Sequence, residues 1–151
     1  MSHYLITIRS SADTMGIYEG ADVWEAVEAM SRDAGYPSLE AEAVSMGLSV
    51  DVLRADLSVE LVSVADLAAR IADAMVAMDR ESGDCTPEIL ADPEAGDASG
   101  WDARGMADAA EDAAGAAGRA VAVQYRERIL SAYRRAWRDA VEAADDAAVQ
   151  S

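Results

Sequence analysis

The sequence predicts an α+β protein, mostly helical: a small antiparallel β-sheet with packed helices, followed by a long C-terminal helix or helical hairpin. Three observations predict it. Short stretches at residues 3–9 and 57–61 alternate apolar and polar side chains with period two. Residues 64–78 repeat their apolar positions every three or four residues. The chain beyond residue 100 is Ala-rich with a helical apolar spacing.

In the first stretch Tyr4, Ile6 and Ile8 fall on one side and Leu5 and Thr7 on the other. A polar turn, Ser10 to Gly16, leads to a short second strand at Ile17-Tyr18-Glu19, so the pair reads as a β-hairpin. Asp22 is a good N-cap and Glu25 follows three residues later, as a capping box requires. Val23, Val27, Met30 and Ala34 then line one helix face, and Gly35 is suited to end it. After Tyr36-Pro37, Ser38 caps a short helix with Leu39, Ala43 and Met46 inward. Ser49 starts another through Val50, Leu53 and Arg54. Leu57, Val59 and Leu61 alternate with Ser58 and Glu60 as a third strand able to pair with the hairpin. Ser63 and Asp66 form the next capping signal. The helix that follows carries Val64, Leu67, Ala68, Ile71, Ala74, Met75 and Met78 as its stripe, with Arg70, Asp73 and Asp79 facing away.

From Ser82 to Gly100 periodicity collapses into Gly, Pro and acidic residues, the composition of a loop or linker. The expected organisation is therefore a small α+β domain at 1–81, an acidic linker or loop at 82–100 and an Ala-rich helical region at 101–151. Within the last, Ala103 to Gly118 reads as a weak helix, interrupted by Gly105, Gly115 and Gly118. Tyr125, Ile129, Ala132, Tyr133, Ala136, Ala140 and Ala144 line one face of a stronger one, with Trp137 and Val141 beside them. Asp145-Asp146 oppose the helix dipole at its end and favour fraying.

Charge is the most informative property. The chain has 29 acidic residues, twelve Arg and no Lys, for a formal net charge of −17 over 151 residues. Between Arg119 and Arg138 lie six Arg and one acid, Glu127, a net +5; everything else sums to −22. An acidic surface repels phosphates, so nucleic-acid binding by the whole surface is disfavoured. The acidity fits life in high salt, an acidic face for a basic partner, or simple solubility of an Ala-rich helical chain. Lys absence beside abundant Ala, Asp and Arg matches the residue bias of a GC-rich genome. The lone cysteine, Cys85, rules out an intramolecular disulfide or a Cys-based metal cage. The opening residues are too polar for a signal peptide, and no apolar run reaches the roughly 18 residues of a membrane span. A cytoplasmic protein is the expectation.

No catalytic set is visible. The one histidine is His3, near the N-terminus, and Lys is absent, which removes the commonest acid–base and Schiff-base groups. The chain is expected not to be an enzyme and to carry no cofactor and no metal. Acid pairs such as Glu25 with Glu28, or Asp108 and Glu111 with Asp112, read as solvated faces. In the linker, Asp92-x-Glu94-x-x-Asp97 fails the calcium-loop pattern because Gly96 comes one place early and the twelfth position lacks an acid. Ala114-Gly115-Ala116-Ala117-Gly118 reads as a kink or a close helix contact rather than a phosphate loop.

Tyr125 to Arg138 is the second distinctive feature. Arg128 and Arg135 lie seven apart on one helix side, and Arg134 and Arg138 form an i, i+4 pair. With Tyr125, Tyr133 and Trp137, these residues make a basic aromatic helix suited to a partner or to self-association. The same Arg could instead pair with acids of the N-terminal region or of a second protomer. Stacking on nucleic acid is disfavoured by the surrounding charge.

The segments Ile8-Arg9-Ser10-Ser11-Ala12-Asp13-Thr14-Met15-Gly16, Tyr18-Glu19-Gly20, Glu25 to Met30 and Arg32 to Tyr36 resemble small uncharacterised proteins of phages, plasmids and integrated elements in GC-rich bacteria. The resemblance covers about the first 36 residues. The strand–turn–strand–helix order is also similar to the small domain of HicB-type antitoxins, though a strand is missing before the helix and no clear helix-turn-helix follows. The first resemblance implies an accessory role, such as inhibition of a host defence by anti-CRISPR-type proteins. The expected function is then a non-catalytic, acidic, DNA-mimicking inhibitor that occupies a basic nucleic-acid-binding surface of a host complex. Its carboxylates, including Glu25, Glu28, Glu40, Glu42, Asp73 and Asp79, would stand in for phosphates. The alternatives are a salt-adapted assembly protein, dimerising through the Tyr125–Val141 helix, and an antitoxin-like regulator using its Arg-rich helix.

Overall fold

The computed structural model describes residues 1–82 and 101–150. Most of the expected linker, with Cys85 and the Asp92–Asp97 motif, lies outside the described residues. The described chain is α+β and mostly helical, and it divides into two compact units, Met1–Ser63 and Val64–Ser151.

The first unit is built on a three-stranded antiparallel sheet: β1 (Ser2–Ile8), β2 (Thr14–Gly20) and β3 (Leu57–Val62), in the order β2-β1-β3. The third strand pairs with the hairpin as its alternation predicts, with Ile6 opposite Val59 and Ile8 opposite Leu57. Both hairpin strands run longer than their apolar cores because the backbone ladder continues to Ser2–Gly20. The turn between them is tied down by α3: Ser10 donates its N–H and its hydroxyl to the Asp56 carboxylate, at 2.9 and 2.6 Å.

Three helices follow β2: α1 (Val23–Asp33), α2 (Leu39–Ser45) and α3 (Val50–Ala55). Each begins at the cap that the sequence indicates. Asp22, Ser38 and Ser49 accept the N–H of Glu25, Ala41 and Val52, at 2.9, 3.1 and 3.2 Å. Gly20 is required at the strand-to-helix corner, where an added Cβ would lie 2.6 Å from the Ala26 nitrogen. Ile6, Val27, Met30, Leu39, Ala43, Leu53 and Leu57 form the core between one sheet face and these helices. Met46, expected inward, is exposed because α2 ends there and Gly47, at φ +73°, redirects the chain.

The second unit contains α4 (Val64–Ser82), α5 (Ala103–Gln124) and α6 (Arg126–Gln150). The sequence groups α4 with the sheet, but α4 packs on α5 and α6. Its buried stripe is Val64, Ala68, Ile71, Ala72, Met75, Val76 and Asp79, so Met78 is left exposed. The first half of α5 is a packed helix rather than a weak one. It buries Met106 together with Ala107, Ala109 and Ala110, and the small Ala side chains let helices approach closely. The small-residue run is the kink: Ala114 and Gly115 leave helical geometry, and Gly115 takes φ +65°, ψ −149°, a region open essentially to glycine alone. An added Cβ on Gly118 would lie 2.1 Å from the Ala110 carbonyl oxygen, so the two halves of α5 meet at van der Waals distance only because residue 118 has no side chain. A single non-helical residue, Tyr125, separates α5 from α6.

Candidate interaction surfaces

The acidic residues predicted to form one solvent-facing set are divided by the fold into three groups. Glu25, Glu40 and Asp73 are exposed. Glu28 and Glu42 turn inward and hold the α1–α2 junction together. Glu28 accepts the Leu39 N–H at 3.2 Å, and Glu42 accepts the hydroxyl of fully buried Ser31 at 2.8 Å. Both acids are half-buried, so their oxygens are committed to the protein rather than offered outward. Ser31 gave no sequence signal beyond lying one residue from Met30 on the buried face.

Asp79 is the clearest correction. It is 8% exposed, not on the outer face of α4. Its carboxylate accepts the Trp101 indole N–H at 3.1 Å to each oxygen, and it also accepts the Tyr133 hydroxyl. One side chain therefore ties the end of α4 to the entry of α5 and the middle of α6. The signal was present: Ala68, Ala72, Met75 and Asp79 follow one another at spacings of four, three and four. They define the buried stripe better than a stripe through Ala74 and Met78 does.

The basic aromatic helix is likewise split by the geometry of α6. Tyr133 and Trp137 are 2% and 0% exposed and lie in the core with Ile129 and Leu130. They are not a binding surface. Tyr125 is half-buried and serves as the joint, accepting the N–H of Arg128 at 3.0 Å while donating its own to the Val121 carbonyl at 2.7 Å. Arg128, Arg135 and Arg138 are exposed. Arg134 is half-buried, with a buried Nε that has no hydrogen-bond partner among the described residues.

Arg128 and Arg135 border an open groove of about 340 Å³ between α4 and α6. Its lining is Ala65, Ala68 and Ala69 from α4, and Ser131, Ala132 and Glu127 beside the two Arg from α6. The walls are small, so a helix backbone can come close.

The expectation that the Arg of the Tyr125–Arg138 segment pair with acids of the N-terminal region is not met: none of them forms an ion pair among the described residues, and the ion-paired Arg lies outside that segment. Arg119 donates to Glu111 at 2.7 Å and to Asp108 at 3.5 Å across the α5 kink, and no other Arg forms an ion pair among the described residues. The Glu111 hydrogen bond, with its charge, holds the exposed Arg119 guanidinium above its ordinary pKa. Arg54 lies over the Trp24 ring, 5.0 Å from its centroid, rather than beside a carboxylate. The first unit contains eleven carboxylates against Arg9, Arg32 and Arg54, and none of the three is ion-paired among the described residues.

Among the described residues no three His, Cys, Asp or Glu side chains lie close enough to hold a metal ion, and no helix is long and apolar enough to cross a membrane. Compared with protein families, curated proteins and solved structures, the chain matches none.

Proposed function

We propose that the protein is a non-catalytic binding module whose acidic first unit docks on a basic protein surface. Its partner is proposed to be a nucleic-acid-processing complex of the host, whose phosphate-binding groove the carboxylates occupy. The observation that carries this reading is the unneutralised charge of the first unit: exposed Glu25, Glu40, Asp51 and Glu60 meet no Arg of their own unit. Unpaired surface carboxylates attract a basic groove over about 8–10 Å at physiological salt and speed encounter with it. Their fixed positions on capped helices and strands then select among grooves. Glu28, Glu42 and Asp79 are excluded from the contact set by their internal hydrogen bonds.

The test is affinity capture from host lysate with the full chain as bait, with and without nuclease, read by mass spectrometry. One nucleic-acid-binding protein recovered in stoichiometric amount, unaffected by nuclease and displaced by its own nucleic acid, supports the reading. Recovery of generic basic proteins alone, all lost at moderate salt, overturns it.

A further inference from the structure

Beyond that reading, the outward face of α6 has a layout of its own. Helical spacing puts Arg128, Arg135, Arg138, Asp139 and Glu142 on the side opposite the buried Ile129, Tyr133 and Trp137. All five are exposed. Charge is grouped along this face: after Glu127 come Arg128, Arg135 and Arg138, and then the acids Asp139 and Glu142. Of the five, only Arg128 lies in a terminal turn of α6, where its charge opposes the helix dipole; the other four are mid-helix, where the dipole has little effect. Arg135 with Asp139 and Arg138 with Glu142 have the i, i+4 spacing that adds a few tenths of a kcal/mol to a helix, yet among the described residues none of these three Arg is ion-paired within the chain, which leaves their charge open to a partner.

We infer that this face pairs antiparallel with the same face of a second copy, forming a two-fold homodimer. Antiparallel pairing centred between positions 138 and 139 sets Arg138 against the partner's Asp139 and Arg135 against the partner's Glu142, each twice by symmetry. Parallel pairing would stack Arg on Arg. Opposed helix dipoles add to the antiparallel preference. The small walls of the adjoining groove, Ala65, Ala69 and Ala132, let the second helix sit close. The assembly presents two acidic first units, so a target with two basic sites would be held with avidity.

The assay is sedimentation of the full chain with charge-reversal variants, each checked by far-UV circular dichroism. Wild type is expected at twice its 15.9 kDa mass. Arg135→Glu alone and Glu142→Arg alone should each weaken association by about tenfold or more, because two attractive pairs become repulsive. The double variant R135E/E142R should restore the dimer, since both sides of each symmetric pair are exchanged. R138E/D139R supplies an independent swap if either single variant loses helix. A monomeric wild type, or a dimer indifferent to single reversals, or failure of both swaps to restore association, overturns the proposal. A monomer that instead binds an acidic helix of another protein overturns it as well.

Discussion

Asp79→Ala removes the one acceptor that the Trp101 indole and the Tyr133 hydroxyl share. Both donors stay where the fold put them, and Tyr133 is 2% exposed, so water reaches its hydroxyl poorly. A buried donor left without an acceptor costs about 1–3 kcal/mol, and hydrogen bonds to a charged group lie at the upper end of that range. Tyr133 is such a donor, whereas the Trp101 indole is only half-buried and loses less, so the two together set a loss of about 2–5 kcal/mol. Removing a buried carboxylate also removes its desolvation cost, which offsets part of the loss. The expected net destabilisation is about 2–4 kcal/mol, a large share of the stability of a chain this size. Urea unfolding followed by tryptophan fluorescence measures it, and Trp101 itself reports the entry of α5. A double-mutant cycle with Tyr133→Phe isolates the pair: the coupling should exceed about 1 kcal/mol, because once Asp79 is gone the hydroxyl has lost its acceptor. A change below about 0.5 kcal/mol for Asp79→Ala, or strict additivity with Tyr133→Phe, would refute the role assigned to the carboxylate.

Two further predictions concern backbone and pH. Gly118→Ala should destabilise the protein by more than the roughly 1–3 kcal/mol expected of Gly115→Ala, because the first drives a methyl into the Ala110 carbonyl whereas the second meets open space and only backbone strain; thermal unfolding of the two variants gives the order, and the reverse order rejects this account of the kink. Tyr18 donates its hydroxyl to Asp33 at 3.0 Å, and burial, followed by that bond and the nearby negative charge, raises its pKa from 10.0 to about 12. The folded state therefore holds this proton more tightly than the unfolded state does, and the associated stability is intact below pH 10 and lost as pH rises towards 12. Tyrosinate absorbance should lose one late-titrating group in Tyr18→Phe, and a titration curve unchanged by that substitution contradicts the assignment.

The fold was legible where local chemistry decides. Asp22, Ser38 and Ser49 announce helix starts because a short side-chain acceptor in an extended residue satisfies a backbone N–H three residues on. Strand alternation at Tyr4–Ile8 and Leu57–Leu61 identified strands able to pair, and burial on both faces of β1, Ile6 on one and Leu5 on the other, fixes the register, since a one-residue slip would exchange the two sets. Burial of polar groups was not legible in the same way. Asp, Glu and Ser read as surface residues, yet Asp79, Glu42 and Ser31 satisfy one another or aromatic donors brought from 11 to 54 residues away. No local window contains both halves of such a bond. The strength of the first half of α5 was hidden for a related reason: Ala contributes little to a hydrophobic pattern, and its value appears only when a second helix comes close enough to use the missing volume.

The segment from Tyr125 to Arg138 shows how a linear reading merges what a helix separates. Aromatic and Arg residues alternate closely in the sequence and resemble one adhesive surface. At 100° per residue, Ile129, Tyr133 and Trp137 turn to one side, and Arg128, Arg135 and Arg138 to the other. The aromatics bind the helix to its own core, where truncation of Trp137 to Ala would cost about 3–5 kcal/mol. That anchoring is what gives the outer charges value. An Arg on a fraying helix spends side-chain and backbone entropy on every contact, whereas an Arg on a helix fixed by two buried aromatics loses only its own rotamers on binding. The two halves of the pattern are therefore successive steps: the inner face fixes the spacing of the outer one, and the outer one can then recognise a partner whose charges have the same spacing.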